Sequence, residues 1–138
     1  MTQTPRPVVS PSPDAAIFWD AASRQELMLP FCRGCRCHFF YPRSVCPSCG
    51  SRDLEWVRAS GHAELYSFCI HHHTGIRELR EAVPFVTALV TLREGPRMMT
   101  YLVGVKPEPQ AIQCGMPLEV TFIEAADGRT IPAFKPRG

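Results

Sequence analysis

The stretch FCRGCRCHFFYPRSVCPSCG, Phe31 to Gly50, carries five cysteines in twenty residues. Four of them fall into two C-x-x-C pairs, Cys32 with Cys35 and Cys46 with Cys49. Each pair is short enough for one tight turn to aim both sulfurs at a common point. Two such turns supply four thiolates in a tetrahedron, the closed donor set of structural zinc with Zn–S of about 2.3 Å. The second pair, CPSCG, is the better-formed knuckle. Pro47 pre-sets one dihedral, and Gly50 accepts the positive φ that turns amide hydrogens towards the sulfurs. The first pair has Arg36 where a glycine is expected, which predicts local strain. Cys37 and His38 fall outside the knuckle register and are read as spectators.

A ribbon of under about thirty residues cannot bury enough apolar surface to fold alone. Metal binding in such peptides is worth about 10–16 kcal/mol, so the ion largely takes the place of a core. Four protein ligands leave no open position, and the expected metal is therefore structural. Iron on the same thiolates would make an electron carrier; metal content separates the two.

On the amino-terminal side, Ser12 reads as an N-cap, Pro13 as the first helical position and Asp14 as a first-turn acid. With Ile17, Phe18, Ala21 and Ala22 at helical spacing, these predict a helix from Pro13 to Gln25, laid down by its Ile17/Phe18 face. Residues 1–11, with Pro5, Pro7 and Pro11, read as a mobile tail. Leu27 and Leu29 alternate on the way into the first cysteine pair. On the carboxy-terminal side the chain reads as strands. PFVTALVTL places Val86, Ala88, Val90 and Leu92 on one face, RMMTYLVGV follows the turn REGP, and GMPLEVTFI places Leu118, Val120 and Phe122 on one side. A final strand after Asp127-Gly128 is expected to be interrupted by Pro132. Five short strands without a long helical pattern predict a small OB-type barrel. The fold class is mainly β: a tail over 1–11, an N-terminal helix and lead-in over 12–30, a rubredoxin-like zinc ribbon over 31–58 and a five-stranded OB-fold over 59–138.

The 138 residues are 45% hydrophobic and 20% charged, with a net charge of +2. This is an ordinary globular composition without the basic stripe of a phosphate-backbone binder. A single-strand nucleic-acid binder stands as the alternative class, since ribbons and OB barrels both serve that purpose. No amino-terminal apolar core marks a signal peptide, and the run Val83 to Leu92 is broken by Pro84, Thr87 and Thr91, so no membrane span is expected. A cytoplasmic location follows as the expectation, and seven cysteines there point to metal or catalysis and not to disulfides. His71, His72 and His73 read as a solvated strand end, and Cys69 and Cys114 as buried structural thiols. No nucleophile signature, phosphate-cradling loop or carboxylate pair is found, so no catalytic residues are expected.

Taken together, FWDAASRQELMLPFC, CRGC…YPRSVCPSCGSRDLEWVRASG, LYSF, PFVTALVTLREGPRMMTYLVGV and GMPLEVTF…DGRTIPAFKP resemble the zinc-ribbon/OB-fold acyl-CoA-associated proteins, from Phe18 to Pro136. The resemblance implies a small non-catalytic subunit that docks on a thiolase-like enzyme (thiolase, acyltransferase or retro-aldolase) and helps complete its acyl-CoA site. It implies Cys32, Cys35, Cys46 and Cys49 as ligands of Zn2+, and strands over Arg97–Val105 and Gly115–Phe122. Arg36 and Cys37 depart from the glycine-led turn usual in that family. For an anionic, partly apolar coenzyme A ligand, Arg97, Arg129 and Lys135 are the candidate phosphate contacts.

Overall fold

The computed structural model describes residues 7, 10–125 and 127–138. Most of the tail expected over residues 1–11 therefore lies outside the described residues. The chain then opens with a 3-10 turn over Pro13–Ala15 that leads into helix α1, Ala16–Ser23. Ser12 is extended at the N-cap position, but its side chain makes no capping hydrogen bond. The buried face of α1 is Phe18, Ala21 and Ala22. Ile17 is exposed, against expectation, because Phe18 with Ala21 and Ala22 already forms the i, i+3, i+4 stripe and Ile17 falls to its side.

The cysteine-rich segment forms a three-stranded antiparallel sheet in the order β2-β1-β3, with β1 over Met28–Cys32, β2 over Cys37–His38 and β3 over Leu54–Arg58. The next five strands close into a barrel: β4 over His62–His71, β5 over Phe85–Leu92, β6 over Arg97–Leu102, β7 over Pro117–Glu124 and β8 over Thr130–Pro136. Their order around the barrel is β4-β5-β6-β8-β7. The fold is thus mainly β with one N-terminal helix, a ribbon and a five-stranded barrel, as the sequence predicts.

From Val86 onward β5 alternates, and Val86, Ala88, Val90 and Leu92 all point into the core. In β7 the inward face changes part-way. Leu118 is fully buried and Val120 packs on the main core, whereas Ile123, not Phe122, is buried further along in a second small core with Ala125, Ile131 and Ala133. β6 stops at Leu102, short of the expected Val105, where the chain turns through Gly104 at φ +73. β8 runs unbroken through Pro132. That residue faces the seam with β6, where the two strands share one parallel residue pair, Leu102↔Phe134, so proline's missing N–H breaks no ladder bond.

Helix, ribbon and barrel share one main core: Phe18, Leu27 and Leu29 pack with Leu65, Val90, Leu118 and Phe134. The cysteine end of the ribbon has a core of its own, limited to Cys32, Phe39 and Cys46 with Cys35 and Leu54 against it. Among the described residues no helix is long and apolar enough to cross a membrane.

Candidate functional site

Cys32 ends β1 and pairs across the hairpin with Cys37, and the turn between them carries Cys35. The second pair sits on the long connection from β2 to β3. There the Cys46 amide donates to the Ser51 carbonyl at 2.9 Å, and the Gly50 amide donates to the Cys46 carbonyl at 3.0 Å. Gly50 takes φ +75, the left-handed conformation expected of it, and the Ser48 amide reaches the Cys46 sulfur at 3.4 Å. Arg36 takes φ +58 in the first turn, so the strain expected at the missing glycine is present. Gly34 lets the two turns meet: a Cβ there would lie 3.2 Å from the Ser51 side chain and 3.5 Å from the Cys32 sulfur. A glycine inside a C-x-x-C turn is the sequence signal of such a close approach. Arg33 ties β1 to the far side of the ribbon through Asp53 at 2.9 Å and Glu55 at 3.0 Å.

The result is a cluster of four sulfurs, all within 4.8 Å of one another. Cys32 and Cys49 stand 3.5 Å apart at sulfur, Cys35 and Cys46 3.7 Å. A tetrahedron with metal–sulfur bonds of about 2.3 Å has edges of about 3.8 Å, so these spacings fit one ion. They are far from the roughly 2.05 Å of a disulfide, and all seven described cysteines are free. The thiols do not ionise alike. Backbone amide bonding, led by the Cys49 N–H, lowers Cys46 to about 6, while burial pushes Cys35 up. Cys49 is also raised: the Ser51 amide pulls it down, but its bond to Cys32 and burial outweigh that. A divalent cation would hold all four as thiolates. Cys37 is exposed and bonds the Cys35 carbonyl at 3.4 Å, outside the cluster.

Among the described residues this is the one group of three or more cysteine, histidine or acidic side chains placed to hold a metal. His71 stacks on Phe85 at 4.7 Å and meets the Thr87 hydroxyl at 2.8 Å; His72 and His73 lie exposed beyond the strand. Cys69 and Cys114 are exposed, not buried, because Cys69 faces outward on β4 and Cys114 lies in the loop before β7.

Each of the three candidate phosphate contacts has a partner of its own. Arg97 lies over the Tyr66 ring at 3.8 Å and bonds the Thr91 hydroxyl at 3.2 Å. Arg129 faces Asp127 at 3.8 Å, and Lys135 faces Glu119 at 3.7 Å. A feature that the sequence does not announce lies over the β6–β8 seam. It is a slot of about 460 Å³, lined chiefly by Phe18 and Trp19 of α1, Phe40 and Tyr41 of the ribbon, Met98 of β6 and Pro132 of β8. Among the described residues β6 pairs with β8 only at Leu102↔Phe134, and its Met99 amide donates to the Tyr41 hydroxyl at 3.2 Å.

Two family models match the chain one after the other. Residues 19–55 match the family model described as the ChsH2 rubredoxin-like zinc ribbon domain, and residues 56–122 match the ChsH2 C-terminal OB-fold domain. The chain is 36% identical over 96% of its length to the "Probable enoyl-CoA hydratase alpha subunit" of Thermomonospora curvata, but spans 40% of that protein's length. It is 32% identical to a "DUF35 domain-containing scaffold protein" of Methanothermobacter thermautotrophicus, over 75% of this chain and 80% of the other. A chain of the solved Ltp2-ChsH2(DUF35) aldolase superposes with a TM-score of 0.81 at 35% identity, covering 94% of this chain and 98% of that one.

Proposed function

Since the chain belongs to the ChsH2 family of zinc-ribbon and OB-fold proteins, the DUF35 scaffolds among them, we propose that it is a non-catalytic accessory subunit of an acyl-CoA-processing complex. It docks on a thiolase-like catalytic subunit and contributes to that subunit's acyl-CoA site, while a structural Zn2+ on Cys32, Cys35, Cys46 and Cys49 stiffens the ribbon. The observation that carries this reading is the near end-to-end match with the chain from the aldolase assembly.

The slot supports the acyl-CoA part. It is largely apolar and lined by aromatic side chains from helix and ribbon beside β6. Such a site suits a flexible arm whose methylenes lie on aromatic walls. The pantetheine arm of coenzyme A is a ligand of that kind. Seven unpaired thiols suit a reducing cytoplasm.

Co-expression with a thiolase-like subunit, followed by size-exclusion chromatography and assay on acyl-CoA, tests the proposal. A stable complex is expected, with turnover only when both chains are present. Cys46→Ala is expected to abolish assembly by unfolding the ribbon. Turnover by the isolated chain, or a fully active complex containing Cys46→Ala, would refute it.

A further inference from the structure

Among the described residues, two arginines that form no ion pair border one end of the barrel, where β4 and β7 begin and β5 and β8 end. There His62, Glu64, Thr91, Arg93, Pro117 and Arg137 border a concavity of about 490 Å³. The backbone fixes the approach of both arginines. The Arg93 amide donates to the His62 carbonyl at 2.9 Å, and the Arg137 amide donates to the Pro117 carbonyl at 3.0 Å. Arg137 Nη1 lies 2.8 Å from His62 Nδ1. A guanidinium only donates, so this ring nitrogen accepts and carries no proton.

Among the described residues neither Arg93 nor Arg137 faces a carboxylate within 4.0 Å; other cations such as Arg52 share this, but these two border one concavity. A neutral imidazole orients the Arg137 fork without cancelling its charge. Glu64 also lines the concavity, but it forms no ion pair with either arginine, and one carboxylate faces two guanidiniums. Planar forks bind phosphate oxygens in pairs, which lysine does not do.

We propose that this concavity is a phosphate-binding subsite, with Arg93 and Arg137 as the anion contacts and His62 as the group that positions Arg137. Identifying the phosphate as one at the nucleotide end of coenzyme A rests on the acyl-CoA reading above; the anion site itself does not.

Isothermal titration of the zinc-loaded full chain with inorganic pyrophosphate at low salt tests the site. Binding is expected in the wild type and roughly tenfold weaker, or worse, in Arg93→Gln and in Arg137→Gln. It should be unchanged in Arg52→Gln, an exposed control on the ribbon, and tighter in Glu64→Gln. Circular dichroism and zinc content confirm that each variant is folded. No pyrophosphate binding, or equal binding by wild type and both arginine variants, overturns the proposal. Competition by coenzyme A identifies its phosphates as the source. Pyrophosphate binding that coenzyme A fails to displace keeps the anion site and removes the coenzyme A assignment.

Discussion

Arg36 holds φ +58 because the first knuckle must turn tightly between Cys35 and β2, and a Cβ in that region costs about 1–2 kcal/mol. Glycine would relieve this strain but return about 0.5–1 kcal/mol through the freer unfolded chain. Arg36→Gly is thus expected to stabilise the zinc-loaded protein by about 0.5–1 kcal/mol, read as a higher urea midpoint. The thiols make a sharper pair of outcomes. Cys46→Ala should lose the bound ion, and Cys37→Ser should keep one zinc per chain, both measured by elemental analysis. Protons compete with the metal in a direction the Cys46 shift sets. Its folded value, about 6, lies below the ordinary 9.0. Its contribution is therefore complete above the unfolded value and lost as pH falls through about 6. Because all four sulfurs must shed protons to hold the ion, zinc transfer to a chromophoric chelator should rise as pH falls. At this scale the sequence was easy to read, because two C-x-x-C spacings and one absent glycine constrain local geometry directly. Gly34 escaped, since its role depends on Ser51 from the opposite knuckle.

The link from β3 to β4 turns on Gly61. Its φ is +83, and a Cβ there would meet the Val120 side chain at 2.7 Å. The Val120 amide donates to the Gly61 carbonyl at 2.8 Å, so the strand cannot retreat freely. Gly61→Ala is expected to cost about 1–3 kcal/mol through strain and overpacking, measured by denaturant unfolding. β5 was legible because both its faces obey the two-residue period. β7 and β8 were only partly so. β7 serves two cores in succession, which makes Ile123 and not Phe122 the buried residue, and Pro132 survives inside β8 only because the β6 side of that strand is nearly unpaired. Neither fact is local. The exposure of Ile17, Cys69 and Cys114 has the same origin: the apolar stripe or strand face that wins burial is chosen by the partner element.

For the whole molecule, two unequal reserves of stability follow. The barrel buries Leu65, Val90, Leu92, Leu118 and Phe134 almost completely, whereas the cysteine end of the ribbon buries little besides Cys32, Cys46 and Phe39. Chelation is therefore expected to deprotect the amides of residues 32–54 in hydrogen exchange while β5, β7 and β8 stay protected. Uniform loss of protection would show that the ion supports the barrel as well. Ribbon and barrel were both evident from strand count and cysteine spacing. The slot was not, because Phe18, Tyr41, Met98 and Pro132 come from segments far apart in the chain and meet only once it is folded.

Tyr41 links these levels. Its hydroxyl accepts from the Met99 amide of β6, and it reaches there from the loop between the two cysteine pairs. An ion on the four sulfurs would thus act on a tether whose far end is fastened to the barrel wall. Slackening the thiol cage would unfasten that end and let the opening above it change width, so occupancy at the metal and the calibre of the slot are mechanically joined.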